Sequence, residues 1–165
     1  MNSKNILQGK RILIVDDEPD VLESLIELLD MCQIDTVASF TDGKRMLENH
    51  DYNLAILDIM GVDGFELLKI ASNQKIPALM LTANSLSEES LKKSAEDGAA
   101  YFVPKDKMAD IEIYVTDVLT SIEKRTNPWE KLFNRLGNFY DKRFHGTNWR
   151  EKEKEFWEQK MKTRF

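Results

Sequence analysis

The stretch Ile12-Leu-Ile-Val-Asp-Asp-Glu-Pro19 joins four apolar residues to three acids and a proline. An uninterrupted apolar run of this length is typical of a buried strand in a parallel sheet. Pro19 suits the first turn of a helix, where its missing N–H costs little. A strand that leads directly into a helix predicts a parallel α/β fold, provided that the unit repeats along the chain.

Strand and helix signals alternate five times before residue 125. Strands are expected at Arg11–Val15, near Thr36–Ala38, and at Leu54–Leu57, Ala78–Leu81 and Tyr101–Val103. Helices are expected after Pro19, from Thr41 through Leu47, from Phe65 through Ile70, over about Ser87–Asp97 and from about Met108 to Glu123. Near-continuous apolar strands of this kind occur in sheets that helices cover on both faces. The pattern predicts an α/β fold with a doubly wound, five-stranded parallel sheet.

Polar residues follow four of the predicted strands, namely Asp16, Asp17, Asp58, Thr82 and Lys105. The carboxyl ends of parallel strands lie side by side and form the ligand crevice. Three carboxylates in one crevice repel one another unless a cation lies among them, and hard oxygen ligands suit Mg²⁺. A carboxylate beside Mg²⁺ can attack phosphorus and form an acyl phosphate, whose charge an ammonium helps to neutralise. The five residues therefore predict a phosphoryl-accepting site.

Five short segments of the chain resemble, in their order, the receiver domain of bacterial two-component response regulators. The segments are Val15-Asp-Asp-Glu-Pro19, Leu57-Asp58, Leu81-Thr-Ala83, Gly98-Ala99 and Lys105. The resemblance covers about residues 9–124 and implies a CheY-like, flavodoxin-like sheet with strand order 2-1-3-4-5. It also implies a phosphorelay in which a histidine kinase or a phosphotransfer protein supplies the phosphoryl group.

The resemblance implies a role for each residue of the predicted site. The catalytic residues are Asp58, as the phosphoacceptor, with Lys105 and Thr82. The implied cofactor is Mg²⁺, and its ligands are three carboxylates and one main-chain carbonyl, from Asp16, Asp17, Asp58 and Met60. We expect no enzymatic activity beyond self-phosphorylation from small donors and autodephosphorylation.

The resemblance also implies a conformational switch. On phosphorylation Thr82 moves inward and vacates space that an aromatic residue of the fifth strand fills. This movement changes the surface made by the fourth helix, the fifth strand and the fifth helix. The order Pro104-Lys105 inverts the family's usual Lys-Pro, but counting from Gly98-Ala99 still places Lys105 at the lysine position. The same count makes Phe102, rather than Tyr101, the switch aromatic.

The loop after the phosphoacceptor departs from the family pattern. The segment Asp58-Ile-Met-Gly-Val-Asp-Gly64 is shorter than usual and lacks the Met-Pro pair. We therefore expect an altered pocket floor. A degenerate receiver that binds partners without being phosphorylated is an alternative.

The C-terminal quarter of the chain differs in charge from the rest. Residues 1–123 contain 11 basic and 23 acidic side chains, whereas residues 124–165 contain 12 and 6. Such an asymmetry marks two units with different roles. The chain is therefore divided into a receiver domain over residues 9–124 and a net-basic extension over residues 125–165.

Helical spacing predicts two helices in this extension. Asn127-Pro128 ends the preceding helix, and apolar residues then recur from Trp129 to Tyr140. A second, charged helix is expected after Thr147 or Asn148. The extension is too short for the winged-helix effector that many response regulators carry.

The role of the extension is left open by the sequence. Its aromatic residues favour a homodimer or the docking of a protein partner, together with the fourth and fifth helices. Its positive charge favours a small nucleic-acid-binding effector for transcription, although six acids interrupt it. Packing on the acidic receiver of the same chain is a third interpretation. Binding to a membrane surface through Trp129, Trp149 and Trp157 is a minor variant.

Several classes of protein are excluded. No apolar run approaches the ~20 residues of a membrane span, and the N-terminus lacks the apolar stretch of a signal peptide. The single cysteine, Cys32, excludes an internal disulfide, and we expect a cytoplasmic protein. A phosphohydrolase of the haloacid-dehalogenase type needs an Asp two residues after its nucleophile. Two residues after Asp58 this chain has Met60, and two residues after Asp16 it has Glu18. A nucleotide-binding enzyme is disfavoured because no glycine-rich phosphate loop follows the first strand.

Overall fold

The structure, a computed structural model, describes residues 6–83, 86–145 and 148–162 and contains a five-stranded sheet surrounded by helices. The strands are β1 Arg11–Val15, β2 Gln33–Val37, β3 Leu54–Asp58, β4 Ala78–Thr82 and β5 Tyr101–Pro104. The α-helices are α1 Pro19–Leu28, α2 Phe40–Asn49, α3 Gly64–Asn73, α4 Glu88–Glu96, α5 Ile111–Lys124, α6 Pro128–Arg143, α7 Trp149–Lys152 and α8 Lys154–Lys162. A 3-10 helix, Lys105–Asp110, links β5 to α5.

All five strands are parallel and lie in the order β2-β1-β3-β4-β5. The chain moves from β1 outward to β2 and then back past β1 to β3, so the direction of winding reverses between β1 and β3. At such a reversal the connections diverge and leave a crevice at the carboxyl ends of the strands. Every residue of β3 and β4 is buried. The predicted doubly wound, flavodoxin-like α/β fold is confirmed.

Strand β2 differs from its predicted position. It was expected near Thr36–Ala38 but begins at Gln33, because Gln33 and Asp35 flank Ile34 and leave no continuous apolar run. β2 is an edge strand and is only partly buried, so it tolerates a carboxylate at Asp35. The hydroxyl of Tyr52 donates a hydrogen bond to Asp35 Oδ2 at 2.7 Å.

Of the helices that flank β5, α4 follows its local capping signal and α5 begins later than predicted. The Ser87 hydroxyl accepts a hydrogen bond from the main-chain N–H of Ser90, and the Ser90 hydroxyl accepts one from the main-chain N–H of Ser87. These two bonds form a reciprocal cap at the start of α4. Helix α5 begins at Ile111 rather than near Met108, because the 3-10 helix precedes it. No residue of that 3-10 helix is buried, whereas Ile111 is fully buried. The start of α5 therefore coincides with the first fully buried residue after β5.

The C-terminal extension is helical, as predicted. The Asn127 side chain accepts from the main-chain N–H of Trp129 and caps α6, which starts with Pro128. The second predicted helix is divided at Glu153 into α7 and α8. Thr147, one of its two expected starting points, lies outside the described residues, and α7 follows the other, Asn148.

The extension packs on the receiver of its own chain, which agrees with the third interpretation of its sequence. Helix α6 lies against β5 and α5. The indole N–H of Trp129 donates to the main-chain carbonyl of Ala99 at 2.9 Å. The hydroxyl of Tyr140 donates to the main-chain carbonyl of Phe102 at 2.8 Å. None of the helices described has both the length and the apolar composition needed to cross a bilayer.

Candidate functional site

The predicted site residues meet at the carboxyl edge of the sheet. The Nζ atom of Lys105 lies 3.0 Å from Asp16 Oδ2, 3.3 Å from Asp58 Oδ1 and 2.6 Å from Glu18 Oε1. Strand ends that are distant in sequence thus supply one ion-pair network. A cleft of about 200 Å³ at this position is lined by Asp17, Glu18, Asp58, Met60, Gly61, Thr82, Ala83 and Lys105.

The two acids after β1 have different surroundings. Asp16 is buried, and its Oδ1 accepts the main-chain N–H of Glu18 at 2.9 Å, which directs the chain into α1. Asp17 is exposed at the mouth of the cleft and lies against the backbone of Gly61. Asp16 therefore forms an inner wall of the site, and Asp17 its rim.

Glu18 is a member of this cluster that was not predicted from the sequence to be a site residue. Asp16, Asp17 and Glu18 each offer a carboxylate oxygen, and these oxygens lie within 4.8 Å of one another. Glu18 is also the nearest acid to the Lys105 ammonium. Its position directly after the acid pair was the available signal, but an exposed Glu before a helix is equally typical of a solvated first turn.

Burial and like charge dominate the electrostatics of the site. Burial, and then the negative charge of Asp16, raise the pKa of Asp58 to about 7, against the lowering effect of Lys105. Burial also raises the pKa of Asp16. For Lys105 burial lowers the pKa, but the contacts with Glu18, Asp16 and Asp58 outweigh it and raise the pKa overall. The site therefore has more negative charge than one lysine neutralises.

The raised pKa of Asp58 makes stability depend on pH. Because the folded pKa exceeds the unfolded value, the folded protein binds more protons between about pH 4 and 7, and its free energy of unfolding falls as the pH rises through this range. The shift corresponds to at most about 4 kcal/mol, since one pKa unit is about 1.4 kcal/mol. Urea unfolding in a chelator should show Asp58→Asn to be more stable than wild type above about pH 7 and the two to converge below about pH 4. A difference that is constant with pH would contradict this assignment.

The short loop after Asp58 relies on two glycines. Gly61 has φ +82°, and a Cβ placed there would lie 2.5 Å from Asp17 Oδ2. Gly64 donates its main-chain N–H to the carbonyl of Ile59 at 3.0 Å, and a Cβ at Gly64 would overlap the Asp58 carbonyl. Met60, directly before Gly61, has an exposed side chain. Glycine thus allows the loop to close tightly around the carboxylates.

Gly61→Ala is expected to weaken Mg²⁺ binding. The added methyl would displace Asp17, a predicted Mg²⁺ ligand, and disturbing the positioning of a metal ligand typically costs about 10–100-fold in affinity. Calorimetric titration with Mg²⁺ measures the loss. Gly9→Ala is a matched control, because Gly9 also has positive φ but has open space around the Cβ position. Equal Mg²⁺ affinity in the two variants would contradict the role of Gly61.

The three predicted switch residues are all buried. The register pairs Thr82 with Pro104 and Met80 with Phe102, so Phe102 lies on the same face of the sheet as Thr82. The Phe102 ring is 5.9 Å from that of Tyr140 in α6. The hydroxyl of Thr82 has no hydrogen-bond partner among the residues that the structure describes. Phe102 and Thr82 therefore share one face of the sheet, and the role of Phe102 as switch aromatic stays a prediction.

Tyr101 takes part in a polar cluster that the sequence did not indicate. Its hydroxyl donates to Asp117 Oδ2 at 2.7 Å, and the same carboxylate pairs with Arg135 Nε at 2.5 Å. Asp117 is buried in α5, where its surroundings in sequence are apolar. A polar residue inside an apolar helical face was the only signal of this cluster. Its partners, which lie 16 and 18 residues away, could not be deduced from it.

Comparisons with known proteins agree with this geometry. Residues 12–115 match the response regulator receiver domain family. The response regulator GtcR of Aneurinibacillus migulanus is 34% identical over 89 residues, which are 50% of this chain and 36% of that protein. The heme response regulator HssR of Staphylococcus haemolyticus is 39% identical over 85 residues, 48% of this chain and 38% of that protein. The chain thus spans little more than a third of these relatives.

Solved structures show the same fold. The CheY-like response regulator receiver domain protein of Methanospirillum hungatei is 30% identical, with a TM-score of 0.65 over 71% of this chain and 98% of that one. The BeF₃-activated DrrB receiver domain is 24% identical, has a TM-score of 0.61 and covers 68% of this chain, and it supports the fold alone. The family match, the strand order and the cluster at the carboxyl edge lead to one conclusion. This chain belongs to the response regulator receiver domain family of two-component systems.

Proposed function

We propose that the chain is a phosphoacceptor response regulator, in which Asp58 takes a phosphoryl group from a histidine kinase or a phosphotransfer protein. The observation that carries the proposal is the convergence of an ammonium, a hydroxyl and several carboxylates around a buried Asp58. Lys105 Nζ lies 3.3 Å from Asp58 Oδ1, and the buried Thr82 hydroxyl is available for a new acceptor. These groups match what a transferred phosphoryl group needs.

The residues present also fit a divalent cation. The oxygens of Asp16, Asp17 and Glu18 are hard ligands within 4.8 Å of one another, and the raised pKa of Asp58 reflects negative charge that a cation would relieve. Asp16, Asp17, Asp58 and the main-chain carbonyl of Met60 would hold Mg²⁺. When bound, Mg²⁺ lowers the pKa of Asp58 and neutralises charge on the phosphoryl oxygens.

The chain's own residues perform the transfer. An ionised Asp58 oxygen attacks phosphorus while the phosphorus–nitrogen bond of the donor breaks, and the bonding pair leaves with the imidazole, which takes up a proton. Lys105 already lies beside this oxygen and pairs with the phosphoryl group. Thr82 then donates its hydroxyl hydrogen to a phosphoryl oxygen. The product is an aspartyl phosphate whose phosphoryl group carries about two negative charges in place of the single charge of the Asp58 carboxylate.

Phosphorylation would change the surface made by α4, β5 and α5 through Thr82 and Phe102. The energy available is the difference in phosphate binding between two states of this region. Beyond self-phosphorylation and autodephosphorylation we propose no enzymatic activity. The heme response named for HssR and the transcriptional role named for TcrA of Mycobacterium tuberculosis belong to those longer proteins, of which this chain spans about a third.

Intact-mass measurement after incubation with acetyl phosphate and Mg²⁺ tests the proposal. We expect a single phosphoryl adduct, which requires Mg²⁺ and disappears on treatment with hydroxylamine, a reagent that cleaves acyl phosphates. A folded protein that forms no adduct from acetyl phosphate or from a phosphorylated histidine donor would overturn the proposal and favour a degenerate receiver.

A further inference from the structure

The C-terminal segment, residues 125–145 and 148–162, covers a continuous face of the receiver that consists of α4, β5 and α5. Helix α6 packs on β5 and α5. The shorter helices reach α4, where Lys152 pairs with Glu88 and Glu153 lies 3.0 Å from Lys92 Nζ. All three elements of this α4–β5–α5 face are therefore in contact with the segment.

Buried hydrogen bonds hold the segment at β5. Trp129 and Tyr140 are both fully buried, and each donates its polar hydrogen to a main-chain carbonyl of the receiver, Ala99 and Phe102 respectively. Leaving such a donor buried without an acceptor is costly. The pairing of both donors identifies the contact as a specific one and not a loose association.

A buried charge of the receiver has its counter-ion in the segment. Asp117 is 3% exposed, and its carboxylate accepts from Arg135 at 2.5 Å and 3.1 Å and from the Tyr101 hydroxyl at 2.7 Å. A buried carboxylate requires a paired cation. Of these two partners, Asp117 would keep only the neutral Tyr101 hydroxyl without α6. The receiver is therefore electrostatically complete only with the segment docked.

The segment is also tethered next to its binding face. Only Arg125, Thr126 and Asn127 separate α5 from α6. A short linker gives an effective concentration in the millimolar range, well above ordinary protein concentrations. The net charge of +6 on residues 124–165, opposite the net −12 of residues 1–123, adds attraction. Docking within one chain is therefore favoured over docking between chains.

The face beneath the segment is one that would pair with a copy of itself. β5 is an edge strand, and an uncovered edge strand pairs readily with another chain. Two such edges related by a two-fold axis are self-complementary. Phe102 is fully buried and its ring lies 5.9 Å from that of Tyr140 in α6, so removal of the segment would add apolar surface to the exposed edge. We infer that the C-terminal segment is an intramolecular cover that prevents the α4–β5–α5 face from pairing with a second copy of this chain.

Arg135→Glu in the full chain tests this inference. The new carboxylate faces the buried Asp117 and repels α6, while Arg135 itself is half exposed and outside the aromatic core of the segment. Arg143→Glu is the matched control, with the same change of charge on an exposed position of the same helix. Sedimentation velocity over a range of concentrations measures self-association, and hydrogen exchange of the amides of residues 99–103 measures exposure of β5.

Wild type and Arg143→Glu are expected to remain monomers of 19.2 kDa. Arg135→Glu is expected to approach twice this mass as its concentration rises, and at low concentration its β5 amides should exchange on the order of tenfold faster. A wild type that dimerises through β5 would overturn the inference. So would an Arg135→Glu protein whose β5 amides exchange faster while it stays monomeric, or an Arg135→Glu protein in which neither the mass nor the exchange rate changes.

A milder variant replaces Arg135→Glu if that protein does not fold. Lys92→Glu combined with Lys152→Glu reverses two contacts between α4 and the segment, and both side chains lie at the surface of the molecule. The same outcomes apply to it. All samples lack phosphodonor, so the result does not depend on the proposed phosphorylation of Asp58, and failure of one proposal is distinguishable from failure of the other.

Discussion

Asp58→Asn is expected to reduce the phosphoryl adduct from one per chain to none. An amide oxygen is a poor nucleophile, and the substitution leaves the shape of the side chain and the neighbouring Lys105 unchanged. Asp16 is not expected to replace Asp58, because Asp16 is buried and does not line the cleft, whereas Asp58 does. Intact mass after incubation with acetyl phosphate and Mg²⁺ gives the result directly.

Asp63→Asn is the control for this experiment. Asp63 is an exposed carboxylate in the same loop, its side chain makes no capping hydrogen bond, and Asn tolerates the left-handed backbone conformation found there. Full phosphorylation of Asp63→Asn with none of Asp58→Asn assigns the acceptor. An adduct that persists on Asp58→Asn would place the acceptor on another carboxylate, with Asp17, at the rim of the cleft, as the first to examine.

Trp129→Ala is expected to lower the free energy of unfolding of the C-terminal segment by about 3–5 kcal/mol, the usual cost of truncating a buried aromatic residue. The Trp129 ring is fully buried and lies 5.7 Å from Trp157 and 6.4 Å from Phe133. Its N–H also satisfies the carbonyl of Ala99. Such a loss is large beside the roughly 5–15 kcal/mol of a whole domain. We therefore expect the segment to detach under conditions in which the sheet stays folded.

Urea unfolding followed by the fluorescence of Trp149 and Trp157, and separately by circular dichroism, measures this effect. Trp129→Phe is the graded control, because it retains an aromatic ring but leaves the Ala99 carbonyl unpaired, at a cost of about 1–3 kcal/mol. Two separated transitions in Trp129→Ala would mark the segment as a unit that opens by itself. A loss below about 1 kcal/mol would contradict the anchoring role of Trp129.

The sequence alone determined the receiver fold and, except for Glu18, the charged side chains of its site. Apolar runs such as Ile12–Val15 and Ala78–Leu81 are local signals, and their alternation with helical spacing admits only a parallel sheet wound on both faces. The site was predictable for the same reason, since carboxyl ends of parallel strands converge wherever they occur in sequence. The edge strand β2 was misplaced because partial burial allows polar residues in it.

Only the tertiary structure decided which side chains share the Lys105 ammonium and which surface the C-terminal segment occupies. Glu18 and Lys105 are 87 residues apart, and Asp117 meets Arg135 across two helices. The charge and aromatic content of the segment were compatible with self-association, nucleic-acid binding or packing on its own receiver. The choice among such contacts depends on complementary shape and on pairing each buried polar group, and these properties exist only once the two surfaces are folded.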